Sequence, residues 1–169
     1  TVLKALAERN ALDTAEVDDI LWGTSNQQGG QAMDLGRMSA LDAGYDVRAS
    51  GVTLARFCGS GITSVNLAAS SIMSGMEDLV IAGGCEMMSM TTAMRGDPAS
   101  SLMDAGNLRL RAKHPQSHQG VCADAIATLE GISRTDLDSL AVESQKRAAH
   151  AIANGHFDRR LIKVFKAHG

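Results

Sequence analysis

The chain has only three cysteines, Cys58, Cys85 and Cys122, among 169 residues. An odd and low count excludes the disulfide framework of a small secreted domain and fits free thiols in a reducing cytosol. No CxxC pair occurs, and the five histidines do not sit at zinc-ligand spacing beside the cysteines, so no metal site is expected. Aromatic residues make up 3%, too few for a base-stacking surface. Lys and Arg number 16 against 19 Asp and Glu, for a net charge of −3, and no basic stripe marks a nucleic-acid partner. No apolar run approaches the roughly 20 residues that cross a bilayer. The opening "TVLKALAERNALDT" is amphipathic and mixed in charge, unlike a secretory signal. It starts without Met, the pattern of a chain that begins inside a longer protein.

What is present suits a globular fold: 44% hydrophobic and 21% charged residues, with length enough for a core. Apolar spacing predicts a helix over residues 2–9. A strand follows over 20–23, then a Gly/Gln turn over 26–33. The next helix, "DLGRMSALDAG", is expected to turn Leu35, Met38 and Leu41 to one face and to end at Gly44. "GVTLARF", 51–57, reads as a strand, and "GSGITSVNLAASSIMSG" as a small-residue helix lying close against its neighbours and ending near Gly75. Residues 78–82 are apolar without alternation, as in a strand of a parallel sheet covered on both faces. This strand–helix–strand order predicts an α/β fold with a mainly parallel sheet. Residues 91–120 lose all periodicity and hold both prolines, as in a functional surface excursion. Two helices follow; the second opens on Ser133 and Asp136 in the S-x-x-D capping arrangement, and Gly155 closes it. "HFDRRLIKVF" reads as a turn into a strand.

Cys58 stands between a strand and a helix, at the carboxyl edge of the sheet where ligands of α/β folds bind. The amides and partial positive charge of a helix N-terminus stabilise a thiolate and the oxygen of an acyl thioester. Gly59 and Gly61 leave room for a substrate to approach the backbone. A buried, inert cysteine is the competing reading, since free cysteine is among the most buried residue types. "GSGITS" is neither a Walker loop nor G-x-G-x-x-G, and no serine sits in a G-x-S-x-G elbow.

The stretch "RFCGSGITSVNLAASSIMSGMEDLVIAGGCEMMSM" resembles the nucleophile segment of thiolases. Cys58, Gly59-Ser60-Gly61, Ala82-Gly83-Gly84, Glu86, Met88 and Ser89 fall on its pattern. "VDDILWGTSNQQGGQAMDLGRMSALDAG" is similar to the strand, covering loop and helix that precede it. "HQGVCADAIATLEGISRTDLDSLAVESQKRAAHAIANGHFDRRLIKV" looks like the helical loop domain of that family. The resemblance implies an acyl-CoA acyltransferase: thiolytic cleavage of a 3-ketoacyl-CoA, or the reverse Claisen condensation, through an acyl thioester on Cys58. It makes His118, Gln119 and Gly120 the substrate-binding lead-in, with coenzyme A or acyl-CoA as substrate and no permanently bound cofactor. It also implies a homodimer or homotetramer and a cytoplasmic location. "HQGVCAD" leans towards degradative, broad-chain members. A ketosynthase-like condensing enzyme shares the fold logic, but A-G-G-x-E-x-M-S favours thiolase.

The resemblance further implies three parts of a layered thiolase-like fold. These are an α/β core over 1–90 without its opening strand, a mostly helical, CoA-facing loop domain over 91–160, and the start of a return strand over 161–169. The family's G-H-P histidine, C-x-G-G-G second cysteine and N-E-A-F asparagine do not occur in these residues, and His168 is followed by Gly. The chain therefore reads as truncated. The alternative function is a non-catalytic CoA-binding or assembly module. Cys85 and Cys122 are expected to be packing residues, and most of the nine methionines core fillers. His114, His150 and His156 are read as ordinary. Arg109, Arg111 and Lys113 form a basic cluster that is either a solvated loop or an attraction for CoA phosphates.

Overall fold

The computed structural model describes residues 1–93 and 104–164. They form two compact units, one of residues 1–93 with 164 and one of residues 104–163. The first runs α1 (Val2–Asn10), β1 (Asp19–Gly23), α2 (Leu35–Asp42), β2 (Val52–Leu54), α3 (Ser60–Ser74), β3 (Val80–Gly84) and α4 (Met88–Ala93). The strands make a parallel sheet of order β2-β1-β3, with Leu21 opposite Val52 and Ala82. This is an α/β fold whose parallel strands are joined through helices.

The centre of the sheet is β1, with residues 20–23 buried, which explains an apolar run without alternation. Successive side chains point to opposite faces. On one face Ile20 and Trp22 meet Leu3 of α1, Ala40 of α2, Tyr45 and Ile81 in the core cluster. The Tyr45 hydroxyl donates to the Leu3 carbonyl at 3.0 Å. On the other face lies α3. A Cβ on Gly23 would stand 2.7 Å from the Ser60 backbone, so only glycine lets the start of α3 sit on the end of β1. The Asp18 carboxylate accepts the Asp78 and Leu79 amides at 2.8 and 2.9 Å, which fixes the entry to β3.

Several expectations change. Helix α2 buries Gly36 and Ala40, whereas Met38 and Leu41 are exposed. A Cβ on Gly36 would lie 2.9 Å from the Trp22 Cβ, so close approach selects the small-residue face over the apolar one. Strand β2 stops at Leu54 because the chain turns at Phe57, which has φ 48°. Strand β3 is displaced two residues, to Val80–Gly84. Cys85 and Cys122 are exposed, not packed inside. Helix α4 spans Met88–Ala93.

The second unit holds α5 (Leu108–Lys113), α6 (Gln119–Leu129) and α7 (Arg134–Ala153). Helix α5 lies in the stretch read as aperiodic, started by Asn107, whose Oδ1 accepts the Leu110 amide at 3.1 Å. The rest of that excursion over 94–103 lies outside the described residues. The capping box of α7 is present: Ser133 Oγ accepts the Asp136 amide, and the Asp136 carboxylate accepts the Ser133 amide. Residues 161–164 form no strand; residues 165–169, the remainder of the expected return strand, lie outside the described residues.

Candidate functional site

Five residues, 55–59, turn the chain from β2 into α3, and Cys58 stands exposed on that turn. Its backbone is closely held. Gly59 N–H donates to the Arg56 carbonyl at 3.0 Å, and Ser60 N–H to the Phe57 carbonyl at 3.1 Å. The Ser60 hydroxyl, on a residue only 4% exposed, accepts the Arg56 amide at 2.8 Å and donates to the Phe57 carbonyl at 2.6 Å. Between them Phe57 occupies the left-handed region, a strained conformation for an aromatic residue that costs about 1–3 kcal/mol. Gly59 is the N-cap of α3 and offers no side chain to its amides. Among the described residues, no backbone carbonyl takes the amides of Cys58, Gly61 or Ile62. An exposed thiol beside open helix-start amides can bind and stabilise the oxygen of an attacked carbonyl.

The platform beneath the turn is also pinned. Ser64, fully buried, has its hydroxyl 2.7 and 2.9 Å from the Gly61 and Gly83 carbonyls, between which its single proton is shared, tying α3 to β3. Thr24 N–H donates to the Leu54 carbonyl at 3.0 Å, joining the ends of β1 and β2. Past β3, the Glu86 carboxylate accepts the Ser25 amide at 2.8 Å, the Ser25 hydroxyl at 2.6 Å, the Thr24 hydroxyl at 3.2 Å and the Gln31 amide at 3.0 Å. These donors, with Ser25 foremost, outweigh desolvation and hold its pKa down at about 2. The buried Gln31 also donates to the Asn26 carbonyl at 2.8 Å and accepts the Met87 amide. One anion thus joins the loops after β1 and β3 at the carboxyl edge.

The other sulfurs lie elsewhere. Cys85 Sγ accepts the Trp22 indole N–H at 3.4 Å. Cys122 lies in α6 of the second unit, 3.9 Å from the Ser117 carbonyl. His118 is the N-cap of α6; its Nδ1 accepts the Gly120 amide at 3.2 Å, so in the neutral ring Nε2 carries the proton as an outward donor. Gln119 and Gly120 form the first turn of α6, exposed like His118. Cys58 and the His118–Gly120 group therefore belong to different units. Of the basic cluster, Arg111 is held by Asp104, whose own pKa is lowered to about 2 chiefly by that guanidinium, while Arg109 and Lys113 stand exposed. Among the described residues no three metal-ligating side chains gather.

The clamping roles of Ser60, Gln31 and Glu86 are not visible in the sequence pattern. Ser60 and Glu86 fall on the thiolase-like pattern, and "GTSN" after an apolar strand is a polar signal, but none of these states what the side chains hold.

The model of the thiolase N-terminal domain matches residues 1–168. A 3-ketoacyl-CoA thiolase of Psychrobacter cryohalolentis is 34% identical over 163 residues, covering 96% of this chain and 40% of the relative. A beta-ketoadipyl-CoA thiolase of Acinetobacter baylyi is 35% identical over 175 residues, covering 96% and 44%. A 3-ketoacyl-CoA thiolase of Chromohalobacter salexigens is 34% identical over 167 residues, covering 96% and 41%. The chain spans about two-fifths of the length of these relatives. With residues 1–168 matched by the N-terminal domain model, the chain belongs to the thiolase family.

Proposed function

We propose that this chain is the acyl-accepting part of a thiolase-type acyltransferase, with Cys58 as the nucleophile. The observation that carries the reading is the exposed Cys58 on a pinned turn at the carboxyl edge of a parallel sheet. The Cys58 sulfur attacks the thioester carbonyl of an acyl-CoA. A new carbon–sulfur bond forms, the bond to the CoA sulfur breaks, and the thiol proton leaves with CoA. The Cys58, Gly61 and Ile62 amides, which no described backbone carbonyl accepts, are the proposed donors to the transient oxyanion. The acyl group then passes to a second CoA in thiolysis, or to the α-carbon of a second acyl-CoA in condensation. His118, with the first turn of α6, is the proposed contact to the substrate thioester, and exposed Arg109 and Lys113 suit the CoA phosphates. A homo-oligomer in the cytoplasm, with fatty acyl-CoA degradation as the setting, completes the proposal.

The test is stoichiometric. On mixing with acetyl-CoA, the wild-type chain is expected to release up to one CoA thiol per chain, and Cys58→Ala none. Equal release from both proteins would overturn the assignment. A second reading is a CoA-binding or assembly module without turnover. Thiolysis of a 3-ketoacyl-CoA by the chain alone, lost in Cys58→Ala, would exclude it.

A further inference from the structure

We infer that Ser60 is a positioning residue for Cys58, acting through the strained backbone of Phe57. The inference rests on the proposed nucleophilic role of Cys58 but is tested independently of acyl transfer. The Ser60 hydroxyl both accepts the Arg56 amide and donates to the Phe57 carbonyl, at 2.8 and 2.6 Å, so it closes a ring around the residue with φ 48°. Ser60 is buried, and its backbone rests where a Cβ on Gly23 would intrude, so the clamp is anchored to β1 and cannot drift with the turn. An aromatic side chain does not hold a left-handed conformation unless its surroundings impose it. The hydroxyl supplies that constraint and thereby fixes Cys58 at the head of α3, beside the Gly61 and Ile62 amides, which no backbone carbonyl among the described residues takes. Without it, Phe57 relaxes to negative φ, and Cys58 swings away from those amides. A serine hydroxyl caps a helix from the N-cap position, and Ser60 stands one residue beyond the Gly59 N-cap. Here it turns back onto the preceding loop, and no side chain caps α3 from the Gly59 position.

The experiment compares alkylation of Cys58 with that of Cys122 in the same 169-residue chain, by limiting iodoacetamide and peptide mass mapping, with melting temperature measured in parallel. Cys122 lies in the other unit and serves as the internal reference. In Ser60→Ala the Cys58-to-Cys122 ratio is expected to fall about two- to fivefold, the effect a helix N-terminus exerts on a nearby anion. Ser60→Thr, which keeps the hydroxyl, retains the ratio. Adding Phe57→Gly to Ser60→Ala recovers at least half of the loss, because glycine takes the left-handed region without cost. Should Ser60→Ala alone not fold, the double variant is still expected to fold, since its strain is gone. A lowered melting temperature with an unchanged ratio, no recovery in the double variant, or failure of the double variant to fold overturns the inference. Failure of the acyl-transfer proposal shows separately, as a wild-type chain whose Cys58 alkylates normally yet releases no CoA from acetyl-CoA.

Discussion

Replacing Gln31 by Met keeps the bulk of a buried side chain and removes its amide. That amide nitrogen faces the Thr24 hydroxyl at 3.1 Å, the Asn26 carbonyl at 2.8 Å and Glu86 Oε1 at 3.0 Å, and its oxygen accepts the Met87 amide. With two N–H hydrogens it donates at most two of the three bonds at once, so three hydrogen bonds are lost in all. At about 1 kcal/mol each, with more for the carboxylate, the gross loss is about 3–4 kcal/mol. Glu86 is exposed and recovers water, as do Asn26 and Met87 in part, which brings the expected loss to about 2 kcal/mol. Urea unfolding followed by the fluorescence of Trp22, the single tryptophan and a buried one, reads this directly. With a slope typical of small proteins, the midpoint falls by about 1 M. Because Gln31 and Glu86 share one network, Glu86→Gln on the Gln31→Met background costs clearly less than it does alone. An unchanged midpoint, or full additivity of the two substitutions, refutes the clamp.

Gly23→Ala drives a Cβ into the Ser60 backbone at 2.7 Å, and backbone cannot turn aside; thermal melting is expected to show a loss of about 1–3 kcal/mol, against almost none for Gly61→Ala, whose Cβ meets open space. Ser133→Ala removes one half of the α7 capping box and costs about 1 kcal/mol, read as a lower melting temperature of the chain. Glu86 has a depressed pKa, about 2 against an ordinary 4.5, so the unfolded chain takes up its proton first. Its contribution is complete above about pH 4.5 and disappears as pH falls through about 2; acid titration of stability shows less loss in this window for Glu86→Gln than for wild type.

What the sequence made legible was what local chemistry decides. The apolar run of β1, the glycine end of α3 at Gly75 with φ 73°, and the Ser133–Asp136 start of α7 are each set within a few residues. The face of α2 was not legible, because the size of Met38 and Leu41 counts for less than the close approach that Gly36 allows to Trp22. The early end of β2 was hidden too: "LARF" remains apolar past Leu54, and nothing in composition reveals a positive φ at Phe57. The Cys58 position followed from motif and strand–helix order, whereas its support did not. Gln31 and Ser25 reach Glu86 across 55 and 61 residues of chain, a pairing that no local periodicity encodes. Cys85 and Cys122 show the converse, since the burial habit of free cysteine places them inside and this structure leaves them exposed.

Of the three exposed thiols, Cys58 is the one proposed to accept an acyl group. The most direct measurement is a peptide map of the chain quenched with acid after incubation with acetyl-CoA. One hydroxylamine-sensitive acetyl group is expected, on the peptide that carries Cys58. An acetyl group on Cys85 or Cys122 with Cys58 unmodified, or no acetylated peptide at all, would contradict it.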